Sequence, residues 1–429
     1  MNQKIGIIGM GASGKAAAQL ALQKGFVVET FDTRANAPTI EGAQSFHGID
    51  GTDRLATQDQ IVISPGVPLA HDMLKKAIKK NIPVVSELAF AARYIDVPML
   101  AITGTNGKSS TTWYTTQLLQ QAGYTPFAGG NFGTALSALA QEEQKTKYDV
   151  AVVEVSSYQM ECPGTFAPHA GVILNLTPDH LARHKTMDSY AEHKRRIFLH
   201  QSNTSWAITP PNHAQIFSDG EAKTLYLGAF PGAVVEEEQI IVQGLSNDGS
   251  CTLRNSVLYG EHNKQNLMAS VLLCATMGVD PSTLDISALR PLAHRLEKIP
   301  TSDGLCWIND SKATNVEATM AGVAGAPTPQ ILLLGGAGKD GADYTQLLPL
   351  IEKRVRNVIC FGSSRDEIVA QIPFAYPCTS LDEAVVHARL IAQTNDTILL
   401  SPACASFDAF SNFAERGTYF SNIITGAQS

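Results

Sequence analysis

The chain has 429 residues, 44% of them hydrophobic and 17% charged, with a net charge of −8. That length suggests two to four domains with ample core. The acidic balance argues against nucleic acid or an anionic membrane as the main partner, and no apolar run approaches the ~20 residues that span a bilayer.

In chain order, the opening residues lead straight into "KIGIIGM", so a strand and not a signal peptide is expected there. Helical patterns over 15–24, 73–80 and 109–121 alternate with the strand-length runs "FVVETFD", "IVISPG" and "PMLAITG". "DVAVVEVSS", "AGVILNLTPD", "QILLLGG", "NVICFG" and "TILLSPA" continue the series, broken by short β-like pieces over 223–258. Each apolar run is rich in Val, Ile and Leu and ends at Gly, Pro, Ser or Asp, as in parallel sheets covered on both faces. Seven scattered cysteines, odd in number and without C-x-x-C, point to free thiols in a reducing cytoplasm.

The stretch Gly104-Thr105-Asn106-Gly107-Lys108-Ser109-Ser110 after "MLAIT" has the makings of a phosphate loop. Glycines let backbone N–H groups close on phosphate oxygens, and the following helix adds its positive end. Lys108 would reach the terminal phosphates and the Ser109 hydroxyl a Mg²⁺ ion. The general pattern needs a glycine where Ile102 stands, so only the tighter form T-G-T-N-G-K-S applies. Glu154 ends a buried-looking strand, which is costly for a carboxylate unless it is paired or holds metal. His180 lies in a D-H-x-x-R-H cluster with Arg183 and His184 at the next strand end. Nothing in the residues alone singles out Lys194 from the basic patch 193–196.

A second glycine turn, Gly9, Gly11 and Gly14 after the first strand with Asp32 ending the next, fits the dinucleotide fingerprint. Read in isolation it would indicate a dehydrogenase. The loop itself specifies only a diphosphate on a helix N-terminus. A nucleotide-gated binding protein is also open at this point.

"TGTNGKSS", "EVSSYQ", "NLTPDHLARH", "GEHNKQN", "HRLE", "NDSKATN" and "SPACASFD" stand in the order found in the Mur ligase family, the ATP-dependent amide ligases of peptidoglycan synthesis, and the chain resembles that family over nearly its whole length. The resemblance implies an α/β fold of three domains. These are a Rossmann-like amino-terminal domain (1–94) for a UDP-sugar, a central P-loop ATPase-type parallel-sheet domain (95–292), and a carboxy-terminal Rossmann-like domain (293–429). It further implies a cytoplasmic, monomeric enzyme that takes ATP, D-glutamate and UDP-N-acetylmuramoyl-L-alanine. A family relative with another acceptor, a folylpolyglutamate synthase for example, is the alternative.

Carried over by resemblance, Lys108, Glu154, His180 and Lys194 are catalytic. Ser109, Glu154, His180 and a carbamylated Lys194 hold two Mg²⁺ ions. ATP falls to residues 104–110, His262, Asn263, Asn266, Arg295, Asp310 and Lys312. Ala12, Ser13, Asp32, Thr33, Arg34, Ser64, Pro65 and Gly66 would hold the UDP-sugar. Asn131 would help to position phosphate or Mg²⁺-bound groups, Ser157, Gln159 and Arg183 would contact the substrate, and Thr314, Lys339, Ser406, Phe407 and Phe413 would lie beside D-glutamate. Ala182 stands where the family usually has Asp, and Lys339 precedes Asp340 where many relatives put the acid first.

Overall fold

The computed structural model describes residues 3–48, 52–141, 144, 146–213, 220–254, 256, 258, 260–338 and 342–426. Three sheets follow one another along the chain. The first contains β1 (Lys4–Ile8), β2 (Val27–Asp32), β3 (Gln44–His47), β4 (Gln60–Ile63) and β5 (Val84–Ser86) in the order β3-β2-β1-β4-β5. Its helices are α1 (Ala12–Gln23), α2 (Thr52–Leu55), α3 (Lys75–Lys79) and α4 (Glu87–Ala92). All its pairs are parallel, and the order reverses between β1 and β4, the point where ligands collect in such sheets.

The central sheet has nine strands: β6 (Met99–Thr103), β7 (Pro126–Gly130), β8 (Val150–Glu154), β9 (Ala170–Ile173), β10 (Trp206–Thr209), β11 (Lys223–Leu227), β12 (Gly232–Glu236), β13 (Gln239–Gln243) and β14 (Gly249–Thr252). Its helices are α5 (Lys108–Gln121), α6 (Leu136–Leu139), α7 (Leu181–His184), α8 (Met187–Arg195) and α9 (Glu261–Thr276). The third sheet contains β15 (Glu297–Ile299), β16 (Cys306–Asn309), β17 (Gln330–Gly335), β18 (Val355–Phe361), β19 (Tyr376–Pro377) and β20 (Thr397–Leu400). Helices α10 (Val316–Gly325), α11 (Leu348–Arg354), α12 (Arg365–Gln371), α13 (Leu381–Ile391) and α14 (Phe413–Thr425) accompany it.

The parallel reading holds for the longer apolar runs and needs correction at the short ones. β12, β13 and β14 pair antiparallel, as do β15 and β16. Only two residues, Glu237 and Glu238, separate β12 from β13, too few for a parallel crossover and enough for a hairpin. The 223–258 pieces therefore extend the central sheet.

The chain packs as two compact units, Met1–Asn255 with Gln265–Leu289, and Ser256–Lys264 with Arg290–Ser429. The first unit holds two sheets because one apolar core runs through both. Ile5, Ala17 and Leu88 belong to the same buried cluster as Ala101, Leu136 and Val153. All seven cysteines are free thiols, and all but Cys306 are buried.

Candidate active site

Four parallel strands of the central sheet end together. The register pairs Ile102 of β6 with Glu154 of β8, Gly130 of β7 with Glu154, and Thr103 of β6 with Ile173 of β9. Loop 104–107, Asn131 and the segment after β9 thus share one carboxyl edge.

The loop is held by its neighbours. Asn106 N–H donates to Asn175 Oδ1 at 2.9 Å, and Asn175 Nδ2 donates back to the Asn106 carbonyl at 3.1 Å. Gly107 has a φ of +88°, and a Cβ there would stand 2.3 Å from Asn266 Oδ1, so this turn into α5 needs glycine. Lys108 Nζ donates to the carbonyls of Gly104 (2.7 Å) and Thr105 (2.6 Å). Ser109 Oγ donates to Glu154 Oε2 at 2.6 Å, while Asn131 Nδ2 donates to Glu154 Oε1 at 2.8 Å. Both oxygens of a nearly buried carboxylate are thereby engaged. Ser110 is fully buried in α5.

Helix α8 presents Tyr190 and Lys194, four residues apart and so on one face. Tyr190 Oη donates to Thr105 Oγ1 at 3.2 Å, and Lys194 Nζ donates to the Gly104 carbonyl at 2.7 Å. Lys194 is 1% exposed. Burial pulls its ammonium well below the usual lysine range, and the charge of Lys108 adds to the effect. His180 adopts the left-handed region, with φ +56°, uncommon for a residue other than glycine. Its Nδ1 lies 2.9 Å from Tyr158 Oη, and its Nε2 lies 3.5 Å from Asp179. Ser157 Oγ lies 2.9 Å from Nε2 of buried His184, whose pKa is pulled down to about 4, mainly by burial. Gln159 Oε1 accepts the Ser156 N–H at 2.9 Å. Arg183 grips Glu161 with Nε and Nη2 (2.6 and 2.8 Å) and donates to the Pro65 and Val67 carbonyls at 3.1 and 3.2 Å. Its guanidinium holds the loop expected to wall the UDP-sugar.

In the first sheet, Asp32 Oδ2 accepts the Met10 N–H at 2.7 Å and Oδ1 accepts the Arg34 N–H at 2.9 Å. The Arg34 guanidinium forks onto the same carboxylate and holds it far below the usual carboxylate range. Ser64 Oγ donates to the Gly9 carbonyl at 2.7 Å. A Cβ on Gly14 would stand 1.9 Å from that carbonyl, so the turn closes only with glycine. Ala12 and Ser13 open α1, whose N-cap, Gly11, supplies no side-chain hydrogen bond. A cavity of about 180 Å³ is lined by Ile8, Gly9, Asp32, Thr33, Val67 and His71.

In the second unit, β16 and β20 are parallel neighbours with Asn309 opposite Leu400, so 310–314 and 401–406 leave one edge together. Asp310 is buried and accepts Ser401 Oγ at 2.8 Å. Burial pushes its carboxyl up to about 7, against the lowering effect of that bond and of Arg295. Lys312 Nζ sits 4.3 Å from the centre of the Phe413 ring, and Thr314 N–H donates to the Lys312 carbonyl. Ser406 is buried and Phe407 is 74% exposed. Burial pulls His262 down to about 4, helped by the charge of Arg295. The division of the chain falls inside α9, leaving Asn263 in this unit and Asn266 in the other. Lys339 lies outside the described residues.

Three family models match in succession: the Mur ligase MurD-like N-terminal domain over 3–86, the Mur ligase middle domain over 102–274, and the Mur ligase glutamate ligase domain over 294–404. A UDP-N-acetylmuramoylalanine–D-glutamate ligase of Desulfosudis oleivorans is 34% identical, covering 99% of this chain and 96% of its own. One of Myxococcus xanthus is 36% identical over 98% of each. The chain belongs to the Mur ligase family. Its three-domain α/β fold is that of solved Mur ligases. A MurF from Acinetobacter baumannii superposes with a TM-score of 0.62 at 15% identity, covering 98% of this chain and 93% of that one. MurF from Thermotoga maritima, solved with ADP, gives 0.60 at 16%, over 99% and 94%.

The donor set of this Mur ligase suits one class of metal. Ser109 and Glu154 offer hard oxygens, as Mg²⁺ prefers when phosphates and waters complete its shell. Among the described residues no group of three or more His, Cys, Asp or Glu is placed to hold a metal. Sequence reasoning missed Asn175, Tyr190 and Glu161. Only Tyr190 had a usable signal, its helical spacing from Lys194.

Proposed function

We propose that this Mur ligase joins D-glutamate to the terminal carboxylate of UDP-N-acetylmuramoyl-L-alanine, with ATP cleaved to ADP and phosphate, in the cytoplasm. Three blocks divide the work: residues 1–94 hold the sugar nucleotide, 95–292 the ATP, and 293–429 the D-glutamate. The observation that carries the choice of amino acid is the full-length 34–36% identity to ligases of that name.

The alanyl carboxylate attacks the γ-phosphorus of ATP, giving an acyl phosphate and ADP. The amine of D-glutamate then attacks the acyl carbon, and phosphate leaves the tetrahedral adduct. Lys108 and the N–H groups of 105–109 neutralise and orient the phosphates, where fixed donors act most strongly on developing charge. Ser109, Glu154, His180 and Lys194 would hold Mg²⁺, which would supply further charge neutralisation there. The burial that pulls Lys194 down favours its neutral amine, the form that attacks CO₂ and loses a proton to leave an anionic carbamate. Asp32, Thr33 and Arg34 receive the uridine end, with Ala12 and Ser13 at the diphosphate. Asn131 helps to position phosphate or Mg²⁺-bound groups, and Ser157 and Gln159 contact the substrate. Asp310, Lys312, Asn263, Asn266 and Arg295 take the nucleotide, and Thr314, Lys339, Ser406 and Phe413 the amino acid.

The test is ADP release from purified protein with UDP-N-acetylmuramoyl-L-alanine and one of D-glutamate, L-glutamate, meso-diaminopimelate or L-alanine. Turnover with D-glutamate alone, with a product heavier by one glutamyl residue, is expected. Equal or greater turnover with another amino acid would overturn the assignment.

A further inference from the structure

We infer that Glu87, at the start of α4, is a positioning residue that caps α6 from outside and thereby fixes the loop carrying Asn131. This rests on the role proposed above for Asn131.

Glu87 is 0% exposed, a place where a carboxylate is costly without a partner. Its Oε1 accepts the backbone N–H of Ser137 at 2.6 Å. Burial pushes its carboxyl up, opposed by the nearby side chain and the backbone N–H of Ser137. Its other oxygen and the Ser137 hydroxyl are buried with no hydrogen-bond partner among the described residues. The acid is therefore not one member of a broad polar network, and its one described bond goes to one amide.

That amide is the second of α6. A helix begins with N–H groups that have no partner in the helix, and the N-cap side chain ordinarily supplies one. Here the N-cap is Ala135, in extended geometry with φ −60° and ψ +145°, and it makes no side-chain cap bond. Glu87 supplies from α4 the acceptor that alanine lacks.

The chain just before α6 is the loop of interest. β7 ends at Gly130 and α6 begins at Leu136, leaving five residues between. Gly130 N–H donates to the Thr134 carbonyl at 2.8 Å, which closes the loop on itself. Asn131 uses both backbone and side chain on Glu154, its N–H reaching the Glu154 carbonyl at 2.9 Å and its Nδ2 the carboxylate at 2.8 Å. One end of the loop is thus set by β7 and the other by α6. A shift of α6 must be absorbed by residues 131–135, because β7 is locked in the sheet. Helix α6 packs against α1 and α4, two of the helices of the first sheet. The cap accordingly couples the sheet that receives the sugar nucleotide to the asparagine beside Glu154.

The experiment compares Glu87→Ala, Glu87→Gln, Ala135→Ser and the double variant E87A/A135S. Hydrogen exchange of the peptide covering 131–139 reads the cap. The Mg²⁺ concentration for half-maximal ADP release reads the consequence. E87A should exchange about five- to tenfold faster in this peptide, the factor expected for a lost cap. It should also need several-fold more Mg²⁺, the effect equally expected of Asn131→Ala. E87Q keeps an acceptor oxygen and should match the parent on both readouts. A135S leaves the parent unchanged and restores E87A, because a serine N-cap provides the missing acceptor within the helix. Unchanged exchange in E87A would overturn the cap. Faster exchange with an unaltered Mg²⁺ requirement would overturn the coupling to Asn131. Should E87A fail to accumulate, recovery of soluble protein in E87A/A135S supports the inference and absence of recovery refutes it. Failure of the parent enzyme to use D-glutamate would count against the proposed reaction and leave the exchange result standing.

Discussion

Asp310 should make this protein lose stability as the pH rises towards neutrality, and Asp310→Asn should remove that loss. The carboxyl is fully buried and pushed up from its usual 3.8 to about 7. At about 1.4 kcal/mol per unit, the difference amounts to roughly 4 kcal/mol. For a group raised on folding, the favourable term is fully present below pH ~4, where both states are protonated. It is lost progressively as the unfolded chain ionises first, and the loss saturates once the pH passes about 7. Asparagine preserves the local bonds: its oxygen can accept the Leu296 N–H and its amide can donate to Ser401 Oγ. In a background with Trp113 and Trp206 changed to phenylalanine, buried Trp307 in β16 reports on this sheet alone. Urea unfolding followed by its fluorescence should show D310N gaining on the parent by about 2–3 kcal/mol between pH 5 and 8. Stability curves that run parallel across that range would refute the reasoning. If Asp310 serves the nucleotide as proposed, the same variant loses turnover while gaining stability.

Lys108→Ala should cut D-glutamate-dependent ADP release by at least about a hundredfold, the scale of losing one charge-stabilising group, in a coupled assay with normal folding by circular dichroism. Arg34→Ala frees the Asp32 carboxyl from the guanidinium that holds it down. The KM for the uridine substrate should rise several-fold with kcat unchanged, as expected when ground-state binding alone is lost. Arg416→Met should destabilise the second unit by several kcal/mol, measured by calorimetry. The buried guanidinium donates to the carbonyls of Ser311, Gly335, Cys404 and Ala405 and to Ser311 Oγ. Each carbonyl left unpaired costs about 1–3 kcal/mol.

The phosphate loop and the first glycine turn were legible because each is a local device. A strand, a small-residue turn and a helix sit within about fifteen residues, and the chemistry lies in the turn itself. The long apolar runs announced β1, β6, β8, β17 and β20 for a similar reason, since a strand covered on both faces reads as an unbroken hydrophobic stretch. The antiparallel hairpin β12–β13 was less clear, because its segments are half exposed and carry charge at the turn. Asn175, Glu161 and Glu87 were invisible for another reason. Asn175 acts on a loop 69 positions away, and Glu87 on a helix 50 positions away. No periodicity in one sequence encodes such a pairing. Arg183 shows the limit from the other side: its motif marked it as functional, but its grip on Pro65 and Val67 depends on packing between sheets.

The sequestered cysteines have a practical consequence. Burial pushes the thiols of Cys162, Cys360 and Cys378 up to about 11 and Cys251 to about 12, so at neutral pH they carry almost no thiolate. An alkylating reagent reaches them only when their surroundings open. Cys162 packs with Ile8 and Phe31 under the first sheet, Cys251 lies on β14, and Cys360 lies on β18. Pulse labelling read by mass spectrometry would therefore time the opening of each sheet separately, without adding any foreign probe.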